Sequence, residues 1–313
     1  MPDPSAVTVF ADLREEGAEL DRLVAELKGP DWARPTPAPG WRIAHQIAHL
    51  HWTDRASLLS LTDGEGFGHM VDAALKAPDT FVDEGAEEGA GLDPAELLAR
   101  WRATRHALDE ALAAASPDAR FPWYGPAMKA ASMASARLME TWAHGQDVAD
   151  ALGVRRAPTG RLRHVARIGV RARDYAHAVR GLPAPAEEFR VELGAPDGSG
   201  TWEYGPPGAA QRITGPALDF CLLVTQRAHR ADLALHATGP DADRWLDIAQ
   251  AFAGPAGRGR QPGQAGAPGP AAAPEHAGDP EHAGDPEHAG DPEPASGERP
   301  AGPAGDRAPG AGR

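Results

Sequence analysis

Four stretches in the first half of the chain repeat apolar residues at the three- and four-residue spacing of an α-helix, and no other feature limits the fold as much. Phe10, Leu13, Leu20, Leu23, Val24 and Leu27 put one apolar stripe on a first helix, with Gly29-Pro30 as its stop. A second helix is expected from about Trp41 to Leu61, after the Pro35-Thr36-Pro37-Ala38-Pro39-Gly40 loop. A third begins after Asp93-Pro94, the aspartate as N-cap and the proline at the first helical position, and carries Leu97, Leu98, Trp101, Leu108 and Leu112. The fourth, about Ala127 to Leu152, contains Met133, Leu138, Met139, Trp142 and Val148 and ends at Gly153. A shorter helical segment near Phe67 to Lys76 falls in the long connection between the second and third. Successive amphipathic helices of this length bury their stripes against one another as a bundle, here residues 1–153.

The pattern changes after Gly153. Leu162 to Val179 still reads as helix, but Phe189-Arg190-Val191-Glu192-Leu193 alternates apolar with polar, and Asp197-Gly198 with Gly200 turns the chain toward Thr201-Trp202-Glu203-Tyr204 as a hairpin. Arg212-Ile213-Thr214, an apolar helix from about Pro216 to Thr225, a strand near Leu233 to His236 and a helix Asp241 to Phe252 follow, so residues 154–253 form a smaller α+β domain. From about Gly254 large apolar residues vanish, and Pro-Glu-His-Ala-Gly-Asp runs three times from Pro274. Such a segment cannot bury enough apolar surface to offset its ordering entropy, so residues 254–313 are expected to be a disordered tail. His276, His282 and His288 would give that tail weak metal-buffering capacity, while repeat slippage explains it more simply.

Charge and composition close off other classes. The net charge is −14, with nine acids and five arginines after residue 253, so the first 253 residues carry −10. A general nucleic-acid binder would show a basic face instead. No apolar run approaches the roughly 18 residues of a membrane span, and Met1 to Ala6 carries no secretory pattern. The single cysteine, Cys221, excludes an internal disulfide and a multi-Cys zinc site, which fits a reducing cytoplasm.

The residues with chemical potential lie on the second and fourth helices. Glu140 and His144, four apart, project from one helix face and can present a carboxylate and an imidazole to one ion. His45, His49 and His51 lie in the second helix, where His49 sits among Ile43, Ile47, Ala48 and Leu50 and needs a partner if buried. Two imidazoles and a carboxylate with an open fourth position match a catalytic zinc-type site. The alternative is a satisfied core histidine at 49 and a structural ion pair at 140.

The segments Gly40-Trp41-Arg42-Ile43-Ala44-His45-Gln46-Ile47-Ala48-His49-Leu50 and Glu140-Thr141-Trp142-Ala143-His144-Gly145-Gln146-Asp147-Val148 resemble the mycothiol-dependent maleylpyruvate isomerase family. The resemblance covers about residues 6 to 152 and implies a DinB-like four-helix bundle. It also implies that His49, Glu140 and His144 hold a divalent metal, usually zinc. His45 stands where the family commonly has aspartate; it is a neighbour that orients a ligand, a fourth ligand, or a helix-face residue without a role, and the first is favoured because metal ligands need orienting neighbours. The smaller domain resembles the family's C-terminal domain through Val191-Glu192-Leu193, Thr214-Gly215-Pro216-Ala217-Leu218-Asp219 and Trp245-Leu246. The ending Trp245 to Gly254 is closer to an uncharacterised metal-binding branch than to the isomerase proper.

The activity implied is metal-assisted thiol chemistry. A low-molecular-weight thiol such as mycothiol would be the cosubstrate, and a small electrophile would be conjugated or isomerised. Cys221, inside the apolar run Phe220-Cys221-Leu222-Leu223-Val224, reads as packing rather than nucleophile. Arg227 and Arg230, after the apolar helix, are the candidates to pair a substrate carboxylate, although cations also suit helix ends. Trp52, Trp123 and Tyr124 are candidate pocket walls or core. Two rivals stand beside this reading: a non-catalytic module that binds metal and ligand, and a metal-dependent hydrolase.

Overall fold

The computed structural model describes residues 4–77 and 80–264. Its helical half comprises α1 (Pro4–Val24), the one-turn α2 (Gly29–Trp32), α3 (Ile43–Thr62), α4 (Gly64–Lys76), α5 (Phe81–Ala90), α6 (Pro94–Ala114) and α7 (Ala130–Leu152). The bundle is built from α1, α3, α6 and α7. The boundaries follow local chemistry: Asp93 accepts a hydrogen bond from the Ala95 N–H at 3.0 Å before Pro94, and Gly153 closes α7 in the left-handed conformation at φ 68°. Gly29-Pro30, expected only as a stop, opens the extra turn α2.

One core cluster fills the bundle with Leu20, Val24, Ile43, Ile47, Leu50, Leu97, Trp101 and Val148, all buried. Each large apolar side chain removed from water in this way contributes about 1.5–3 kcal/mol. Polar tethers set the register of the helices. Arg137 of α7 donates through Nε to Asp54 of α3 at 2.9 Å, with both side chains buried. Arg156 and Arg161, after α7, clamp Glu16 and Glu19 of α1.

The connection between α3 and α6 holds a helix that the periodicity did not announce. Acidic, glycine-containing α5 lies on α3, where Gly85 and Gly89 admit close approach. A Cβ at Gly85 would stand 2.8 Å from the Trp52 indole nitrogen, and one at Gly89 would stand 2.7 Å from the Ala48 Cβ.

The second half holds α8 (Leu162–Arg171), α9 (Arg173–Ala178), β1 (Phe189–Gly194), β2 (Thr201–Tyr204), β3 (Gln211–Pro216), α10 (Ala217–Val224), β4 (His236–Thr238) and α11 (Pro240–Ile248). The expected long helix from 162 breaks at Ala172. The sheet order is β2-β1-β3-β4. The hairpin β1–β2 is antiparallel with Leu193 opposite Trp202, β3 runs parallel to β1, and β4 returns antiparallel to β3. The final helix ends at Ile248 rather than Phe252, because Ala251 N donates to Val224 O at 2.7 Å instead of continuing the helical ladder.

The bundle and the sheet share a second core. Leu108, Leu112, Met133, Leu138 and Trp142 from the bundle join Leu162, Val165, Val191, Ile213, Phe220 and Trp245. The chain also continues past the expected boundary at residue 253. Arg260 donates to Asp147 at 2.7 Å and to Asp150 at 2.9 Å, and Gly263 N donates to Asp232. Residues 254–264 therefore lie on the folded unit. The hexapeptide repeats, and the disorder expected of them, fall outside the described residues. No helix among the described residues is long and apolar enough to cross a membrane.

Candidate metal centre

The facing surfaces of α3 and α7 bring together the three residues singled out in the sequence. Nε2 of His49 and Nε2 of His144 lie 3.2 and 3.4 Å from the same oxygen, Oε2 of Glu140. The two imidazole centroids are 4.5 Å apart, and one donor atom from each of the three residues falls within 4.8 Å of the others. The helical repeat explains the pair on α7, since residues four apart stack on one face. The buried Arg137–Asp54 link, one turn before Glu140, fixes how α3 meets that face.

A residue that the sequence reading passed over orients the site. Gln46, fully buried on α3, accepts a hydrogen bond from Nδ1 of His144 at 2.5 Å through its amide oxygen. Its amide nitrogen donates to the Thr36 hydroxyl at 2.8 Å, and that hydroxyl donates to Trp41 O at 3.0 Å. Because Thr36 spends its proton on the carbonyl, it can only accept from Gln46, which turns the amide oxygen toward His144. The His144 proton then resides on Nδ1, and the lone pair of Nε2 faces Glu140 and His49.

The electrostatics keep these groups ready to ligate. Burial, reinforced by the charges of His49 and Arg227 and opposed by Glu140, holds the His144 imidazole at about 4. Burial alone would raise Glu140, but hydrogen bonds and charge from His144 and His49 outweigh it and leave the carboxyl well below its usual range. At neutral pH the set is thus a neutral imidazole beside a carboxylate. Nδ1 of His49 is buried with no hydrogen-bond partner, and its Nε2 is the nitrogen that meets the carboxylate. Two nitrogen donors and one oxygen donor fit a zinc-type divalent ion.

Arg227 reaches this region through a backbone turn. Gln226 sits at φ 59°, alone among the described non-glycine residues in having positive φ, and sends the chain back from the end of α10 toward α7. There Arg227 donates to Asp147 at 2.8 Å and to Thr225 O at 2.7 Å, while its Nε has no partner. Its charge is felt at His144.

The other candidates separate from the triad. Nε2 of His45 meets Glu87 of α5 at 2.5 Å, and its Nδ1 accepts from the Arg42 N–H, so it touches none of the three ligand candidates; the orienting contact belongs to Gln46. His51 lies outside the group as well. Arg230 binds Asp243 and Asp247, both at 2.7 Å, and clamps α11 instead of facing the triad. Trp52 stacks with His49 at 6.2 Å and meets Phe81 edge-on at 4.9 Å. Trp123 and Tyr124 pack with Phe67. Trp41 covers the site from the loop side, 5.3 Å from His49 and 5.9 Å from His144, with its Nε1 donating to Asp83 of α5 at 3.2 Å. Cys221 is fully buried and its thiol is pushed up by burial, consistent with the packing role expected of it.

The molecule is thus a four-helix bundle with a His/Glu/His set on facing helices, followed by a small mixed sheet. The mycothiol maleylpyruvate isomerase N-terminal domain family matches residues 13–149, and the wyosine base formation family matches residues 185–238. Crystal structures of the mycothiol-dependent maleylpyruvate isomerase and of a histidine-to-alanine mutant of it share the fold. Both superpose with a TM-score of 0.51 over 75% of this chain and 95% of theirs, at 17% and 16% identity. Two uncharacterised proteins from strains of Mycobacterium tuberculosis are 58% identical over 260 residues, covering 83% of this chain and all of theirs. Residues 13–149 thus belong to the mycothiol maleylpyruvate isomerase N-terminal domain family, and the chain as a whole belongs to one family with the two Mycobacterium tuberculosis proteins.

Proposed function

We propose that this protein is a divalent-metal enzyme that uses a low-molecular-weight thiol such as mycothiol to conjugate or isomerise a small electrophile in the cytoplasm. The observation that carries the reading is the convergence of His49, Glu140 and His144 within 4.8 Å, with His144 locked by Gln46. His49, Glu140 and His144 would hold the ion, with zinc favoured by the donor set. A bound ion would supply positive charge that favours thiolate over thiol. The chain's own residues do the rest. Gln46 keeps the His144 proton on Nδ1, Trp41 covers the ligand face, and the idle Nε of Arg227 is the available cationic donor for a substrate carboxylate.

The first test is metal content by mass spectrometry on untagged protein, wild type against His144→Ala. Near one ion per wild-type chain, lost in the variant, supports the site; no ion in either, even after reconstitution, overturns it. The second test follows loss of electrophiles with and without mycothiol. Consumption that requires the thiol supports the proposal. Consumption without it makes the protein a hydrolase, and no turnover with a ligand-induced rise in melting temperature makes it a binding module.

A further inference from the structure

Residues Gly257 to Gln261 and the chain after α10 enclose a cleft of about 150 Å³, below the size of an ordinary organic-ligand pocket. Four guanidinium groups line it, from Arg180, Arg230, Arg258 and Arg260, together with the His229 imidazole. Two of the four are matched by carboxylates: Arg260 by Asp147 and Asp150, and Arg230 by Asp243 and by Asp247, the one acid in the lining. The other two are not. Arg180 donates only to the carbonyls of Ala176 and Gly257, both at 3.2 Å, and Arg258 makes no hydrogen bond or ion pair among the described residues. Burial pulls Arg180 below its ordinary value with no carboxylate to offset the effect.

This concentration of cations runs against a chain of net charge −14. Arg180 is a half-buried guanidinium without a counter-charge, which is costly, whereas Arg258 is exposed at the rim; a planar fork of N–H donors pairs best with an oxyanion. Gly257 lets the wall close, since a Cβ there would collide with the Gln226 amide. The carbonyl that receives Arg180 belongs to the same glycine, so the cation and the closing segment are held together.

We propose that this cleft is a binding site for a phosphate-type oxyanion, bridged between Arg180 and Arg258 and closed by the segment that carries Gly257 to Arg260. It is separate from the His/Glu/His centre and does not depend on the activity proposed there.

The test is a calorimetric titration of the full-length protein with inorganic phosphate, at ionic strength held constant with chloride. A saturable one-to-one isotherm is expected, weakened at least fivefold in Arg258→Ala. That variant removes a side chain with no hydrogen bond or ion pair among the described residues, so its melting temperature serves as the folding control. Arg180→Gln should weaken binding likewise. Phosphate should also slow tryptic cleavage after Arg258 in the wild type. Tighter binding of glycerol 3-phosphate than of phosphate would assign the site to a small phosphate ester, and the reverse to the free ion. No saturable heat with either probe, unchanged affinity in Arg258→Ala, or the same response to added chloride would overturn the proposal.

Discussion

Nδ1 of His144 and the amide oxygen of Gln46 meet at 2.5 Å across the α3–α7 interface, 98 residues apart in the chain. That contact fixes which nitrogen of the imidazole can face the other ligand candidates. Gln46→Ala should lower metal affinity about 10- to 100-fold, as loss of a group that orients a ligand typically does. It should also cost about 1–3 kcal/mol of stability, because the buried Nδ1–H of His144 loses its acceptor and the Thr36 hydroxyl loses its donor. His45→Ala, which removes the link to Glu87 and the acceptor of the Arg42 N–H but no contact with a ligand candidate, should change affinity far less. Competition with a chromophoric chelator measures both, and equal losses would contradict the assignment of the orienting role to Gln46.

Acid should destabilise the metal-free protein in a defined window. His144 titrates at about 4 in the fold against an ordinary 6.5, so between those values the unfolded chain binds a proton that the folded chain does not. Stability therefore rises with pH across that window and is lost as pH falls from about 6.5 toward 4. His51 and His164, lowered first by burial, add to the same slope. Glu140, held well below 4.5, extends the loss to lower pH. Thermal melts of the apoprotein from pH 7 to 4 should show this decline, with a shallower slope in His144→Ala.

Ending the chain at Ala253 should cost more than ending it at Gln264. The shorter form loses Arg260 and leaves Asp147 and Asp150 short of a partner, and removing one side of a buried ion pair costs about 3 kcal/mol. At about 2–4 °C per kcal/mol for a chain of this size, the melting temperature should fall by roughly 6–12 °C. Differential scanning calorimetry on the two truncations decides it; equal melting temperatures would mean that residues 254–264 contribute nothing.

Cys221 should resist alkylation. Its sulfur is fully buried and burial pushes its thiol up, so iodoacetamide at pH 8 should leave the native protein unmodified and label it only in denaturant. Labelling of the native chain would show that the α8–α10 interface opens readily.

The bundle was legible because its helices are long and their apolar residues strictly periodic. Leu97, Trp101, Leu108 and Leu112 name one face of α6 without reference to anything else. Glu140 and His144 were legible for a similar reason, since four-residue spacing is a local property. Gln46 was not, because its role depends on Thr36 and His144, distant in sequence, and the only local signal was an amide inside an apolar run. Helix α5 escaped because its contact surface is made of glycine and alanine, which leave no hydrophobic stripe. Arg260 escaped because composition averages over a glycine- and proline-rich segment, whereas one guanidinium docked on two aspartates depends on a single position.

Gly85 and Gly89 give α5 a face with nothing on it, and this has a bearing on how relatives of this chain could diverge. Helix α5 carries Asp83 against Trp41 and Glu87 against His45, so the distance between α5 and α3 sets how those two aromatic rings are held beside the ligand candidates. A single methyl at Gly89 would press on the Ala48 Cβ and push α5 outward, and one at Gly85 would displace the Trp52 indole. One added carbon on α5 can thus shift the surroundings of Trp41 and His45 from a position that touches none of His49, Glu140 and His144.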